Sequence, residues 1–266
     1  MLGLGNNLTR FRKFGGAIPY LLDTYTGAAA AYSLRKLSST TTNVVRVRRS
    51  SDNTEQDFTA NQITDGTLTS FCGVGNGFVT TWYDQSGNNR NAIQTTLLNQ
   101  PQIVINGNIF LENDKPAIKP VSGQNLVANI LAGSQYSVFQ LDKRGSITAN
   151  YYIPNRGGVN NNYYWYNVYN SNLTALGSNS GSPNYYVNGN LFSGTTQGQA
   201  WNFDTGNQRI LTALNLDLST WTKYEFQYGV GDNNFVSFQE RILFNSNQSL
   251  NRTGIETNIN EFYSIY

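Results

Sequence analysis

The segment FVTTWYDQSG, residues 78–87, decides the fold class. Its first six residues are β-branched or aromatic, the types that pack well on a pleated, half-buried surface. It stops at Asp84-Gln85-Ser86-Gly87, where the Asp and Ser side chains can bond nearby backbone amides and Gly allows the chain to reverse. The segment therefore predicts a strand that ends in a structural turn. A ligand-binding role for the same turn is the less favoured alternative.

The same pattern continues on both sides of this segment. Short runs rich in aromatic and β-branched residues alternate with clusters of Asn, Gly and Ser, which favours an all-β sandwich over a parallel α/β sheet. In YYVNGNLF, residues 185–192, the pair Asn188-Gly189 favours a two-residue type I′ hairpin. The stretch AAAAYSLRKL, residues 28–37, fits either a short helix or a strand. Further strands are predicted at Val44–Arg49, Ser137–Leu141, Tyr151–Ile153, Tyr163–Tyr169, Arg209–Leu214, Tyr224–Tyr228 and Phe235–Phe244.

The end of the chain has a different period. Ile255, Ile259, Phe262 and Tyr266 recur at helical spacing. Ser249 and Asn251 precede them and are good N-cap residues, so we expect a short amphipathic helix there. The glycine-rich stretch 73–77 precedes a strand and lacks the Lys-Ser/Thr of a phosphate loop, so we expect a hairpin at that point.

The composition excludes several chemistries. The 266 residues contain no His and a single Cys, so Ser-His-Asp catalysis, imidazole metal sites and intramolecular disulfides are excluded. Only 13% of the residues are charged. No cofactor and no metal are predicted. Calcium held by the acidic residues of 52–57 is the alternative, but their spacing matches no defined calcium loop.

The charge is unevenly distributed. Residues 1–50 carry eight basic residues and one acidic residue, a net +7, so the remainder carries −5 for the overall +2. Residues 1–24 have no sustained hydrophobic period and are predicted to be an extended arm, anchored on an acidic partner through Arg10, Arg12 and Lys13. Residues 25–266 would then form the sandwich. Nucleic acid is the competing partner, but internal ion pairs are favoured for these basic residues: Arg46, Arg48 and Arg49 with Asp52, Glu55 and Asp57.

Four blocks carry a family resemblance. They are AYSLRKL (31–37), VVRVRRSSDNTEQDF (44–58), VTTWYDQSGNNRNAIQTT (79–96) with QPQIV (100–104), and NDKPAIKP (113–120). Together they resemble the catalytic domain of α-L-arabinofuranosidase B, a concanavalin A-like sandwich, although they cover under half of the chain. Similar blocks, with an ending like residues 244–266, occur in laminin-G-like domains of tailed-phage structural proteins. The resemblance implies a concanavalin A-like jelly-roll β-sandwich with an extended N-terminal arm and a short C-terminal helix.

The resemblance also bears on catalysis. A retaining glycosidase needs two carboxyl groups roughly 5 Å apart. The segment GVGDNNFVSF, residues 229–238, resembles the one that carries the family's acid/base aspartate, which implies that role for Asp232. The nucleophilic glutamate has no match: between residues 143 and 223 the acids are Asp204 and Asp217. The family's paired cysteines are missing too. These departures predict a protein that is not an enzyme.

A sugar-binding surface is a separate prediction. Aromatic and amide residues crowd residues 161–169, and aromatic faces stack on sugar rings while amides bond the hydroxyl groups. The alternative is that half of these aromatic side chains fill the core, as strand alternation requires. The candidate carbohydrate-binding residues are Tyr164, Trp165, Tyr166, Tyr186, Trp201 and Asp232.

Together these features predict a virion structural protein of a tailed phage, acting as capsid decoration, fibre or tail-associated protein. The arm would join it to other virion proteins as a homo-oligomer or in many copies, and its surface would bind host glycans weakly. It would be made in the host cytoplasm without a signal peptide. Neither specific nucleic-acid binding nor membrane insertion is expected, because no apolar run approaches the roughly 20 residues of a membrane span. The alternatives are a divergent α-L-arabinofuranosidase-type glycoside hydrolase and a free cellular lectin.

Overall fold

The computed structural model describes residues 18–121, 123–144, 151–152, 155–157, 166, 168–169, 174–177, 180–203, 207–226 and 236–266. Strands predominate within these residues, and two sheets pack as a sandwich with a helix at the C-terminus. The predicted fold class is therefore confirmed. No helix in this part of the chain is long and apolar enough to cross a membrane.

The strands and helices are numbered in chain order within the described residues. The strands are β1 Ala28–Ser33, β2 Val45–Arg49, β3 Glu55–Phe58, β4 Gly77–Trp82, β5 Ala92–Ile93, β6 Gln102–Ile105, β7 Asn108–Ile109, β8 Leu111–Glu112, β9 Lys115–Pro116, β10 Leu126–Asn129, β11 Tyr136–Arg144, β12 Tyr151–Tyr152, β13 Asn155–Gly157, β14 Val168–Tyr169, β15 Asn184–Val187, β16 Asn190–Phe192, β17 Gln208–Leu216, β18 Lys223–Phe226 and β19 Val236–Phe244. The helices are α1 Leu21–Thr24, α2 Ala60–Thr64, α3 Thr67–Cys72, α4 Gln197–Phe203 and α5 Arg252–Tyr263.

Two antiparallel sheets form the sandwich. The six-stranded sheet has the order β1-β19-β11-β17-β15-β16. The second sheet has the order β13-β18-β10-β5-β4-β2-β3, and β6 and β7 extend it from β4. Strands that are distant in sequence lie side by side in both sheets, so the chain crosses repeatedly between the layers, as in a jelly roll.

The main apolar core lies between the two sheets. The Trp82 ring of β4 stacks on Phe238 at 5.5 Å between ring centroids and lies 5.7 and 5.6 Å from Tyr32 and Phe226. These four residues come from both sheets and are fully buried. Burying one large apolar side chain contributes roughly 1.5–3 kcal/mol of transfer free energy. The strand that decides the fold in the sequence thus also supplies the centre of the core.

A second core covers the opposite face of the six-stranded sheet. Helix α5 contributes Ile255, Ile259 and Tyr263 to it. The predicted helix is confirmed, but Tyr266 lies beyond its end and is exposed. The side chain of Asn251 forms no capping hydrogen bond, and its amide nitrogen donates to Gln248 Oε1 at 2.8 Å. The sheet side of this core consists of Ala28, Ala31, Phe139, Leu141, Ile210, Leu214, Ile242 and Phe244.

Local sequence signals had mixed outcomes. The type I′ hairpin is confirmed, since Asn188 and Gly189 have φ values of 50° and 78° between β15 and β16. Residues 28–33 form a strand, because tertiary pairing with β19 decides between two local preferences. The hairpin predicted at 73–77 is wrong. Gly73 there ends helix α3 with φ 59°, and residues 74–76 form the turn that leads from the helix into β4.

The N-terminal arm is described only in part. Residues 1–17, which include Arg10, Arg12 and Lys13, lie outside the described residues, so anchoring through them stays a prediction. Residues 21–24 form α1, and Leu21 and Leu22 are buried in the core under α5. Apolar packing therefore begins before residue 25.

Candidate functional site

Several strands of both sheets end together at one end of the sandwich. In the six-stranded sheet, Lys143 pairs with Gln208 and Arg144 pairs with Val236, so β11 ends where β17 and β19 begin. Across the core, the Phe226 ring at the end of β18 lies 6.3 Å from the Phe238 ring. At this end β18 of the second sheet ends at Phe226 and β19 of the six-stranded sheet begins at Val236. Residues 227–235 lie between these two in the sequence. They include Asp232, which lies outside the described residues.

The same end has a polar layer on the inner face of the six-stranded sheet. Gln140, Asp142 and Arg144 alternate on β11 with side chains of the core under α5, so they point toward the second sheet. All three are buried. Arg209 of β17 lies beside them, and its Nε is 3.3 Å from Asp142 Oδ1. The Gln140 amide donates to the other oxygen of Asp142.

Arg241 extends the polar layer onto β19. It is fully buried and directly opposite Gln140 in the strand register. Its guanidinium carbon lies 5.0 Å from the Phe226 ring centroid and 5.3 Å from that of Phe238. Among the described residues this layer combines three guanidinium groups with one carboxylate, Asp142. Burying charge is costly unless it is paired, and Asp142 supplies one such partner, to Arg209.

A small pocket of about 180 Å³ opens at the edge of this layer. The β15–β16 hairpin forms one wall. Asn188 is held there because its N–H donates to Ile210 O and its Oδ1 accepts from Ile210 N–H, both at 2.9 Å. Phe203, at the end of α4, is 42% exposed, and Arg209 completes the wall.

The chemistry of this pocket fits a small polar ligand. Drug-sized ligands occupy roughly 300–1,000 Å³, so this volume suits one small ring. An exposed aromatic ring, amide side chains and a guanidinium are the groups that bind a polyhydroxylated ring, by stacking and by hydrogen bonding. The described lining consists of Val187, Asn188, Asn190, Phe203, Asn207, Gln208 and Arg209.

Comparison with solved structures connects this fold to known enzymes. One match is a GH54 α-L-arabinofuranosidase soaked with a cyclic sulfate inhibitor, and another is a Glu-to-Gln variant of a GH54 α-L-arabinofuranosidase soaked with 4-nitrophenyl α-L-arabinofuranoside, both with a TM-score of 0.54. A third is an arabinofuranosidase complexed with arabinofuranosyl-α-1,2-xylobiose, with a TM-score of 0.57. This chain shares the α-L-arabinofuranosidase fold.

The likeness is one of structure, not of close sequence. Each match has 15% sequence identity and covers 90% of this chain and 64% of the other chain. No protein-family model matches the sequence. The search of curated proteins found no match either.

These neighbours overturn one prediction made from the sequence. The chain was expected not to be an enzyme, because no glutamate lies between residues 143 and 223. The solved structures that share this fold are α-L-arabinofuranosidases. The physical reason for the error is that active-site groups in a sandwich come from strands that are distant in sequence. Asp142 on β11 and Arg209 on β17 come together in this way. The lack of a glutamate between residues 143 and 223 therefore does not decide whether a second carboxylate is present.

The predicted sugar-binding aromatics have mixed positions. Tyr166 is buried, lies edge-on to Tyr185 at 5.6 Å and has the Arg209 guanidinium 5.2 Å from its ring centroid, so it fills the core. Tyr186 is half-buried, and Arg252 lies 4.0 Å from its ring centroid. Burial of Tyr166 corrects the prediction for that residue, and for Tyr186 sugar binding stays a prediction. Tyr164, Trp165 and Asp232 lie outside the described residues, and for Trp201 only the backbone, in α4, is described.

The Asp84–Gly87 turn makes structural contacts. Asp84 accepts hydrogen bonds from the backbone N–H groups of Ala31, Ser86 and Arg90 at 2.8–2.9 Å. The Gln85 side chain bonds the backbone after β1, and Gly87 has φ 86°. These bonds join the turn to the edge of β1.

The acidic residues of 52–57 are largely engaged by arginines. Arg46 pairs with Asp57 at 2.6 Å and Arg49 with Asp52 at 2.6 Å, as predicted. Arg48 differs from the prediction, because it donates to the amide oxygens of Gln100 and Asn53. Within the described ranges, no group of three or more Cys, Asp or Glu side chains is placed to hold a metal ion.

Proposed function

We propose that this chain is a glycoside hydrolase-type domain that acts on α-L-arabinofuranosides. The observation that carries the proposal is that the pocket beside Asn188 and the polar layer around Arg209 lie together at one end of the sandwich, where β18 ends at Phe226 and β19 begins at Val236. Asp232 lies between these two strands in the sequence. The shared fold with α-L-arabinofuranosidases supports the same conclusion.

Hydrolysis of a glycosidic bond requires an acid that protonates the leaving oxygen and a second carboxylate that acts as nucleophile or base. We assign the acid/base role to Asp232. Asp142 is not the second group in this proposal, because it is buried and its oxygens are engaged by Arg209 and Gln140. Asp204 directly follows Phe203 in the sequence, and Phe203 lines the pocket. We assign the second carboxylate to Asp204.

The described residues have supporting roles in this scheme. Asp142 orients Arg209 through its ion pair, and the buried Arg209 places a positive charge at the wall of the pocket. The hairpin fixes Asn188 as an amide partner, and Phe203 offers an aromatic face. Burial of the polar layer strengthens each of these electrostatic interactions.

The test is arabinose release from 4-nitrophenyl α-L-arabinofuranoside. We expect the wild type to release arabinose and Asp232→Asn and Asp204→Asn each to lower kcat by at least about 100-fold, the scale of general acid–base catalysis. Asp217→Asn is the matched control. Asp217 follows β17 at its other end, roughly 25–30 Å from Gln208, and should retain full activity. Absence of hydrolysis by the folded wild type would refute the proposal.

The virion role is a separate prediction that does not depend on hydrolysis. It places residues 1–24 against an acidic virion protein and the sandwich on the particle surface. Deleting residues 1–17 should leave the domain folded but absent from purified particles. If the truncated protein is still incorporated, the arm is not the anchor.

A further inference from the structure

A larger groove lies at the opposite edge of the six-stranded sheet. It has a volume of about 850 Å³, within the range of ligand pockets. Its walls come from the segment before α1, the chain after β1, α2, the β8–β9 turn and the end of α5. Four strand spacings of about 4.8 Å separate β1 from β15, so the groove lies roughly 19 Å from the pocket of the proposed hydrolase site.

Two lysines line this groove, and their ammonium groups lie over aromatic rings. The Nζ of Lys36 lies 5.3 Å from the Tyr20 ring centroid, and the Nζ of Lys115 lies 4.8 Å from that of Phe262. Within the described ranges neither ammonium group forms an ion pair.

The other charges of the groove leave it positive. Arg35 is neutralised by Glu240, through contacts of 2.7 and 2.9 Å. Asp114, on the exposed β8–β9 turn, is the carboxylate among the lining residues. The two lysines exceed the lining acids by one positive charge. Asp23 does not line the groove, but it interacts electrostatically with Lys36 while accepting hydrogen bonds from Ser38 and Ser39. The excess among the lining residues suits a ligand with at least one negative charge.

The remaining lining is rich in neutral polar groups. Thr41, Thr42 and Asn61 contribute two hydroxyl groups and one amide. The hydroxyl oxygen of Thr41 is buried and has no hydrogen-bond partner in the described part of the chain. Tyr20 is 40% exposed, so part of its surface remains available for stacking. Hydroxyls, an amide and an exposed ring suit the hydroxyl groups and apolar face of a sugar.

We propose that this groove is a second carbohydrate site, one that binds a uronate-bearing saccharide through Lys36 and Lys115. The ammonium groups hold the carboxylate, the polar side chains bind the hydroxyl groups, and Tyr20 contacts a ring face. The site is separate from the hydrolase pocket, so binding here does not depend on whether the chain cleaves arabinofuranosides.

An acidic peptide is the competing ligand, but the structure favours the saccharide. Peptides are often bound through the free edge of a sheet. The nearest edge, β1, is already covered: Gln85 N–H donates to Ala31 O, and the Arg90 guanidinium and Asn88 amide donate to Ala29 O. A peptide would therefore have no backbone ladder to join.

The experiment is calorimetric titration of the full chain with trigalacturonate and with its methyl ester, which keeps the sugar backbone and removes the charge. We expect trigalacturonate to bind more tightly, and its affinity to fall as NaCl is raised from about 20 to about 200 mM. Lys36→Met with Lys115→Met should weaken binding by about fivefold or more, while the methionine stems preserve packing. Asp114→Asn should strengthen it.

Lys119→Met is the matched control. The Nζ of Lys119 lies 5.0 Å from the Phe110 ring centroid, and this residue does not line the groove. Its variant should bind as the wild type does, and every variant should retain wild-type arabinofuranoside hydrolysis. Equal binding of trigalacturonate and its ester, or an unchanged affinity in the double variant, would overturn the proposal. Binding of a pentaglutamate peptide in preference to trigalacturonate would do so as well.

Discussion

Replacing Glu240 by glutamine tests how the N-terminal part of the chain is fixed to the sandwich. Glu240 is fully buried on β19, and Arg35 binds both of its oxygens, at 2.7 and 2.9 Å. Ser33 and Tyr263 donate to the same carboxylate at 2.7 and 3.3 Å. This network joins the chain after β1, strand β19 and helix α5.

The magnitude follows from burial. Burial is the largest single influence on the pKa of Arg35 and lowers it, but the charge and hydrogen bonds of Glu240 together with Tyr263 outweigh burial, so the pKa of Arg35 is raised and the group stays charged. Glu240→Gln therefore leaves a buried guanidinium without its anion. Breaking such a pair costs about 3–5 kcal/mol. At roughly 3 °C per kcal/mol for a domain of this size, the melting temperature should fall by about 10 °C.

The assay is urea and thermal unfolding, followed by tryptophan fluorescence. Asp57→Asn is the matched control, because it breaks an ion pair with Arg46 whose side chains are 30% and 43% exposed. Exposed pairs contribute about 0–1 kcal/mol, so this variant should be nearly neutral. Removing both charges with Arg35→Met and Glu240→Leu should cost less than Glu240→Gln alone. If Glu240→Gln lowers the unfolding free energy by less than about 1 kcal/mol, the ion pair does not stabilise the fold as argued.

Three further predictions concern single residues. Burial raises the pKa of Cys72 to about 11, so iodoacetamide should modify this thiol slowly at pH 8 in the native protein and rapidly in urea; equal rates would contradict its burial. Gly77→Ala should lower the unfolding free energy by about 1–3 kcal/mol, because a Cβ would lie 2.8 Å from Cys72 Sγ and 3.0 Å from Val47 Cγ1. An unchanged urea midpoint would show that the neighbouring side chains move to accommodate the methyl group. Burial raises the pKa of Glu256 above its ordinary 4.5, so its contribution to stability is complete below that pH and is lost as the pH rises through the folded value. The unfolding free energy, measured by urea titration at a series of pH values from 4 upward, should fall less with pH in Glu256→Gln than in the wild type. If the two proteins lose the same free energy over this pH range, Glu256 does not make stability pH-dependent.

The sequence predicted the parts of the fold that depend on local preferences. Phe78–Tyr83 and Asn188-Gly189 form the strand and hairpin that their residue types favour. Residues 28–33 were ambiguous locally, because only pairing with β19 selects the strand. The glycines at 73–77 were misread, since helix α3 ahead of them is six residues long and has little periodic signal.

The candidate site was harder to predict for a physical reason. The alternation of Gln140, Asp142 and Arg144 shows that they share one face of a strand, and polar faces usually point to solvent. Here they point inward, where Arg209 and Arg241 from other strands join them. Register between distant strands brings these groups together, and no local pattern encodes it.

The central claim is that an arabinofuranoside binds at the end of the sandwich where β18 ends at Phe226 and β19 begins at Val236. The most direct measurement is a crystal structure of Asp232→Asn soaked with 4-nitrophenyl α-L-arabinofuranoside. We expect the sugar ring between Asn188, Phe203 and Arg209. Density for the sugar at another surface only, or none at saturating ligand, would contradict the account.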